Sequence, residues 1–241
     1  MPAGTFTSGL MADISKTKGV ILRSPALSSQ RARFALIHQL GHFLMRTDLA
    51  DRQCTGRDLS ENRRDTAHRK EEMQANRFAT GLLMPKPAFL AYLEQLGKPT
   101  LAHLPKIADK FGVTLDIAAA RYVELAQGRF AILIIKEGVI RFVLPSRSFP
   151  PLSLRPGDAA PPTVQLVAPG DPLIWTGAEV RDWLITSREV RPPKMMIQIL
   201  RKESGLKTVM LLVNAATERR ADEEAEKSAT QSPKFGRRSS R

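Results

Sequence analysis

The feature that most constrains this fold is a pair of histidines, four residues apart, inside a segment with helical periodicity. Residues 38–42 read HQLGH, and apolar residues recur around them at helical spacing from 34 to 44. Ser28 or Ser29 offers an N-cap, which predicts a helix of about 17 residues. Residues four apart project from one helical face, so both imidazoles can reach a single ion. Because this spacing also arises by chance, it predicts a metal site only together with a further ligand.

A second helical segment, capped by Asp65 or Thr66, offers that further ligand. His68, Glu72 and Asn76 follow one another at intervals of four and form a stripe beside the apolar side of the segment. A carboxylate at the edge of a core-facing stripe is costly unless it meets a cation or a hydrogen-bond donor. Glu72 meets a cation if it is the third metal ligand. The alternative is that Glu72 is an ordinary solvated helix charge.

Both segments contain more of one known pattern than the candidate ligands alone. Residues 33–44 read RFALIHQLGHFL, and residues 72–85 read EMQANRFATGLLMP. These stretches resemble the active-site helix and the third-ligand helix of the ImmA/IrrE metallopeptidases, which read RFxxxHExGHF and ExxANxFA followed by LLMP. The resemblance covers residues 19–126 and is only loose beyond 128. It implies a Zn²⁺ ion held by His38, His42 and Glu72.

The same resemblance implies an activity and also questions it. Family members are zinc endopeptidases that cut helix-turn-helix repressors, so the implied partner is a repressor protein. Gln39 stands where the family has its catalytic glutamate. A glutamine amide can hold a water molecule by hydrogen bonding but cannot accept its proton, and losing a general base costs about 10²- to 10⁴-fold in rate. The chain is therefore expected to be a pseudoenzyme, an inactivated form, or a weak enzyme with another base, for which Glu71 and His68 are the nearby candidates. His68 could also reach the substrate oxyanion or the metal.

A second hypothesis is a non-catalytic zinc-binding regulator that binds a repressor or DNA. Residues 101–126 are typical of two helices joined by a turn at Gly112, as in a helix-turn-helix. The second of these helices offers only Asp116 and Arg121 to read bases, so packing against the peptidase core is favoured over DNA reading. The net charge of +13 is spread along the chain and identifies no partner class. His103 is predicted to be a surface or capping residue.

The predicted fold class is α+β. A mainly helical zincin-like metallopeptidase domain is expected over residues 1–127, a small antiparallel-sheet module over 128–215, and a disordered charged tail over 216–241. A strand is expected at 19–22, and residues 46–64 are expected to form a loop.

The C-terminal module is predicted to consist of two β-hairpins, over 130–144 and 194–213, with a short helix near 177–185 that contains Trp183. Cys54 is the only cysteine, which excludes an intrachain disulfide. No apolar run reaches the ~18 residues that a membrane-spanning helix needs. A cytoplasmic protein without a membrane partner is therefore expected.

Overall fold

The chain divides into two compact units, Met1–Lys98 with Ala102–Ala126, and Pro99–Leu101 with Gln127–Arg241. The computed structural model describes residues 6–13, 15–45, 51–55, 66–166, 168, 170–186, 193–202 and 205–213. Within these residues the first unit combines helices with a small sheet and the second is built on a larger sheet, both antiparallel. The predicted α+β class is confirmed. The predicted tail at 216–241 lies outside the described residues.

The sheet of the first unit has the order β2-β1-β3, formed by β1 (Phe6–Ala12), β2 (Gly19–Arg23) and β3 (Asp51–Thr55). Strand β1 precedes the first predicted strand. The prediction of a continuous loop over 46–64 is wrong, because β3 lies within it. Neither β1 (FTSGLMA) nor β3 (DRQCT) shows alternating apolar residues. They form strands because β1 is central and pairs with both neighbours. The rest of 46–64 lies outside the described residues.

Two long helices follow the predicted pattern. Helix α1 (Ser29–Leu44) begins after Ser28, whose side chain accepts a hydrogen bond from the backbone of Arg31. Helix α2 (Thr66–Leu83) ends before Pro85, as predicted. The candidate cap Asp65 lies outside the described residues.

The structure adds α3 (Lys86–Leu96), which the sequence pattern did not reveal. The same prolines that end α2 also begin α3, with Pro85 at its N-cap and Pro87 in its first turn. A proline that ends one helix can therefore also begin the next one.

The predicted helical pair is confirmed as α4 (His103–Phe111) and α5 (Leu115–Leu125). Gly112 ends α4 in the left-handed conformation, with φ 61°. Arg33 of α1 donates through Nη1 to the carbonyl oxygen of Phe111 at 3.3 Å. This bond ties the start of the metal-site helix to the negative end of α4.

The sheet of the second unit confirms both predicted hairpins. Its order is β5-β4-β8-β7-β6, and all its pairs are antiparallel. The strands are β4 (Phe130–Lys136), β5 (Val139–Pro145), β6 (Thr176–Gly177), β7 (Met195–Arg201) and β8 (Lys207–Val213). Part of the second predicted turn, residues 203–204, lies outside the described residues.

The predicted helix at 177–185 is wrong. Only the short 3-10 turn Val180–Asp182 forms, and Trp183 follows it, buried in the core of this unit. The backbone hydrogen bonds instead with the preceding segment, where Ser153 donates to the Trp183 carbonyl and Ile185 donates to Pro151. These hydrogen bonds to the preceding segment take the place of helical ones at the Trp183 carbonyl and the Ile185 N–H. Among the described residues no helix has the length and apolarity to cross a membrane.

Candidate metal centre

Two imidazoles from α1 form one half of the centre. His38 and His42 are one helical turn apart and are 0% and 1% exposed. Their Nε2 atoms lie 3.0 Å apart, and their ring planes cross at 79°. Two buried ring nitrogens therefore point into the same small volume, as the HQLGH spacing predicted.

A carboxylate from α2 completes the group. Glu72 is 2% exposed, with Oε2 at 3.2 Å from His38 Nε2 and Oε1 at 3.3 Å from His42 Nε2. The candidate ligand atoms of the three residues all lie within 4.8 Å of one another. The structure thus brings together all three residues predicted as metal ligands.

The two helices approach closely because position 41 has no side chain. A Cβ added at Gly41 would lie 3.2 Å from the Cα of Ala75 and 3.1 Å from the ring of Phe78. Such contacts are tighter than packed side chains normally make. A glycine lowers the helix propensity of α1. It also lets the two backbones come near enough for the Glu72 carboxylate on α2 to reach both rings.

The donor set fits a divalent ion of the zinc type. Two nitrogens and one carboxylate oxygen are the ligands of many catalytic zinc sites, which leave a fourth position for water or substrate. Ligands held at ~2.0–2.1 Å around a tetrahedral zinc are separated by roughly 3.4 Å. The observed separations of 3.0, 3.2 and 3.3 Å are close to that value. These side chains could hold such an ion with small adjustments.

The electrostatics of Glu72 also suit cation binding. Burial raises its pKa, but hydrogen bonds and charge interactions with His38 and His42 outweigh burial and hold the pKa below its usual range. The carboxyl group is therefore ionised at neutral pH. A buried carboxylate of this kind needs a cationic partner, and the centre of the group is where one would bind.

Gln39 follows the candidate ligand His38 in sequence, and its side chain is hydrogen-bonded to the central strand β1. It is fully buried, and its Nε2 donates to the Oγ of Ser8 on β1 at 3.0 Å. Its Oε1 has no hydrogen-bond partner among the described residues. Sequence reasoning missed Ser8 because it missed β1. The one signal in the sequence was Gln39 itself, which follows the candidate ligand His38. A glutamine that is buried at such a position needs a polar partner nearby.

Two other predicted participants are less fully defined. The backbone of His68 belongs to α2, but its side chain lies outside the described residues, so its role stays a prediction. Asn76, one turn beyond Glu72, has a buried Oδ1 without a hydrogen-bond partner among the described residues. Gln39 and Asn76 thus each contribute one buried acceptor, on α1 and on α2 respectively.

A basic side chain closes the last turn of α1. Lys16 Nζ donates to the carbonyl oxygens of His42 and Met45, at 3.0 and 2.9 Å. A positive charge is favourable at the carbonyl end of a helix. One of the candidate ligands is therefore anchored through its backbone as well as through its side chain.

Asp13 organises the turn that carries this lysine. Its carboxylate accepts hydrogen bonds from the Ser15 hydroxyl, from the Lys18 backbone and, at 2.7 Å, from Thr17 Oγ1. These bonds lower the pKa of Asp13 to about 2. Lys16 itself adopts φ 51°, a left-handed conformation that costs a non-glycine residue about 1 kcal/mol. The turn thus tolerates strain at the residue that reaches α1.

Two residues of the α4–α5 pair, His103 and Arg121, are more buried than the sequence predicted. His103 is not a surface residue: it is buried, and its Nδ1 lies 2.7 Å from the hydroxyl of Tyr122. Arg121 is buried too and donates to the carbonyl of Met84 and to Glu124. Arg121 is therefore not available to contact bases, so α5 lacks the basic side chain considered for DNA reading.

Comparison with known families gives one match. Residues 2–122 match the family model described as the IrrE N-terminal-like domain, Peptidase_M78. The matched range contains β1 to α4 and most of α5, including all three candidate ligands and Ser8. No curated protein sequence matches the chain.

Proposed function

Because the chain belongs to the IrrE N-terminal-like peptidase family, we propose that it is a zinc-binding metallopeptidase that recognises a regulatory protein and cleaves it slowly or not at all. Family membership supports a metallopeptidase-like function. The observation that carries the proposal is the convergence of His38, His42 and Glu72, with contacts of 3.0 to 3.3 Å, in a buried site.

Each residue has a definite part in this proposal. His38 and His42 bind the ion through Nε2, and Glu72 adds a negative charge that offsets part of the charge of the cation. Zinc, when bound, supplies a Lewis acid and a water whose pKa is lowered to about 7. Gln39 can accept a hydrogen bond through Oε1 but cannot take up a proton. Its presence supports a site that holds its ligand better than it hydrolyses a peptide.

The proposed protein partner is a helix-turn-helix repressor, as the family resemblance implies. An extended segment of such a partner would need backbone hydrogen bonds near the site. Strand β2 supports this, since it is an outer strand of the described sheet and leads directly to α1. Its side chains Val20 and Leu22 are 59% and 47% exposed, so apolar contacts could accompany the pairing.

Restoring the base tests the proposal. The full chain and its Gln39→Glu variant are incubated with zinc and a candidate helix-turn-helix repressor, and fragments are quantified by mass spectrometry. We expect Gln39→Glu to raise the cleavage rate by about 10²- to 10⁴-fold. A Gln39→Glu/Glu72→Ala double variant controls for a contaminating protease. If Gln39→Glu cuts no tested repressor although it binds one zinc, the peptidase proposal fails.

That negative outcome would favour the second candidate, a non-catalytic zinc-binding regulator. One observation supports it: Gln39 is accommodated by a hydrogen bond to Ser8 within an intact buried site. Binding of the unaltered chain to the same repressor, without cleavage by either form, would be its positive signature. DNA as partner has less support, because Arg121 is occupied by Met84 and Glu124.

A further inference from the structure

We propose that Ser8 is a positioning residue, which holds the amide nitrogen of Gln39 and leaves the carbonyl oxygen for a ligand. The amide nitrogen is held toward β1, and the carbonyl oxygen is presented to whatever ligand the group binds. This inference rests on the proposed metal site, but it concerns two residues of this chain whose contact can be measured without metal or activity.

The contact joins two fully buried side chains. Ser8 and Gln39 are both 0% exposed, and Gln39 Nε2 lies 3.0 Å from Ser8 Oγ. The backbone of Ser8 is held on both sides, because β1 pairs Ser8 with Arg23 of β2 and with Cys54 of β3. A side chain fixed on the central strand of a sheet can hold its partner in one orientation more firmly than a loop residue can.

Side-chain alternation along β1 explains why a serine faces α1. Residues two apart on a strand share a face, so Ser8 shares its face with Leu10, which is 2% exposed. A hydroxyl among apolar neighbours on that face needs a hydrogen-bond partner. Gln39 is the partner that the structure provides.

The other end of the amide identifies the class of ligand. Gln39 Oε1 is buried and has no hydrogen-bond partner among the described residues. A buried carbonyl oxygen without a donor is unfavourable, and native proteins usually satisfy such atoms with a ligand or water. An acceptor at this position favours a ligand with an O–H or N–H group, such as neutral water or a peptide amide. With the amide reversed, its N–H groups would favour an anion instead.

The same serine is compatible with a glutamate at position 39. A hydroxyl both donates and accepts, so it can accept from the Gln39 amide or donate to a carboxylate. Gln39→Glu should therefore fold normally and keep the contact. The positioning role is thus a property of Ser8 and does not depend on whether residue 39 is a base.

The test is side-chain amide exchange in the full-length, zinc-free chain, measured by NMR on ¹⁵N-labelled protein. The Gln39 NH₂ signals are assigned by their loss in Gln39→Glu, and the exposed Gln127 is the internal reference. We expect the Gln39 amide to exchange at least about tenfold more slowly than Gln127, because it is buried and hydrogen-bonded. If Gln39 exchanges as fast as Gln127 in the unaltered chain, the inference is wrong.

Variants then separate positioning from general stability. Ser8→Ala should speed Gln39 exchange about tenfold or more, whereas Ser8→Thr, which keeps a hydroxyl, should preserve the protection. Ser146→Ala is the matched control, since Ser146 is also buried and makes two hydrogen bonds, to Phe130 and Gly128. Equal acceleration in Ser146→Ala and Ser8→Ala would show a general loss of stability and overturn the inference.

Addition of one equivalent of zinc distinguishes failure of this inference from failure of the proposed function. If zinc binds, the Gln39 signals should shift in the unaltered chain and in Ser8→Thr, and shift by a different amount in Ser8→Ala. If zinc does not bind while the Ser8-dependent protection persists, the proposed function fails and the contact stands. If zinc binds and Ser8→Ala changes neither exchange nor shift, the positioning role is wrong.

Discussion

The first unit buries histidines in two places, and the two places are built differently. At the candidate metal centre, two ring nitrogens and a carboxylate converge, with His38, His42 and Glu72 at 3.0 to 3.3 Å. In the α4–α5 pair, His103 has the hydroxyl of Tyr122 at 2.7 Å from Nδ1, and a backbone hydrogen bond to Leu96. Each interaction of His103 can pair one donor with one acceptor.

The difference teaches how to tell a structural histidine from a ligand. Around His103 a neutral ring with one proton satisfies a donor and an acceptor at once. At the metal centre, the two Nε2 atoms at 3.0 Å cannot both carry a proton toward the middle without crowding. A bound cation would remove this crowding, because it would take the place of the protons between the two rings and the carboxylate. Burial alone does not separate the two cases, since His38, His42 and His103 are all buried.

The largest effect that could break this comparison is loss of metal. We expect His42→Ala to abolish stoichiometric zinc, lowering affinity by more than the roughly 100-fold typical of outer-shell substitutions. His103→Asn should still bind one zinc per chain. Metal content after dialysis measures both. Unchanged zinc in His42→Ala would remove His42 from the ligand set.

The next effect concerns the helix contact that assembles the centre. Gly41→Ala should destabilise the protein by about 1–3 kcal/mol, because its Cβ meets Ala75 and Phe78, and it should weaken zinc binding as α2 is displaced. Gly81→Ala is the matched control on α2, where an added Cβ meets nothing within 4 Å. There we expect a gain of up to ~1 kcal/mol from helix propensity. Chemical unfolding and zinc titration measure these effects, and equal stability of both variants would contradict the tight approach.

A smaller effect tests the anchoring of the metal-site helix. Lys16→Met should lose about 0.5–1 kcal/mol of stability, since it removes a positive charge from the end of α1. Lys18→Met, two residues away in the same turn, serves as control, because the structure shows only its backbone bonding to Asp13. If both lysines contribute equally in unfolding experiments, the two carbonyl contacts have no specific role.

The smallest effect is the contribution of His103 to the pH dependence of stability. Burial, followed by the charge of Lys106, lowers the pKa of His103 below 6.5. The unfolded chain therefore takes up this proton first, so the contribution to stability is full above pH 6.5 and is lost as pH falls through the folded pKa. His103→Asn should lose less unfolding free energy than the unaltered chain as the pH falls below about 6.5. Identical pH profiles would show that His103 titrates normally.

The sequence predicted most of what depends on periodicity and on motif residues. The spacing of HQLGH placed both imidazoles on one face of α1, and the stripe on α2 placed Glu72 toward them; the structure shows both. The α4–α5 pair and the two hairpins of the second unit also follow from local patterns. What they share is that each signal lies within one element or its nearest neighbour in sequence.

The features that escaped prediction depend on tertiary pairing. β1 and β3 contain no alternation and form through each other, and the segment around Trp183 pairs with residues 151–153 instead of forming a helix. His103 looked isolated because its partner Tyr122 lies on the next helix. Ser8 could not be placed at the centre before β1 was known. Propensity is a weak guide wherever hydrogen bonds to distant residues decide the conformation.

The β1–β2 hairpin contacts the HQLGH segment at two points. Its first strand holds Gln39 through Ser8, and its turn holds the His42 carbonyl through Lys16. Both contacts join residues fewer than 35 positions apart, whereas the carboxylate arrives from the next long helix. Short loops close at lower entropic cost than long ones. The hairpin and α1 thus make up a locally connected unit, which holds two of the three candidate ligands.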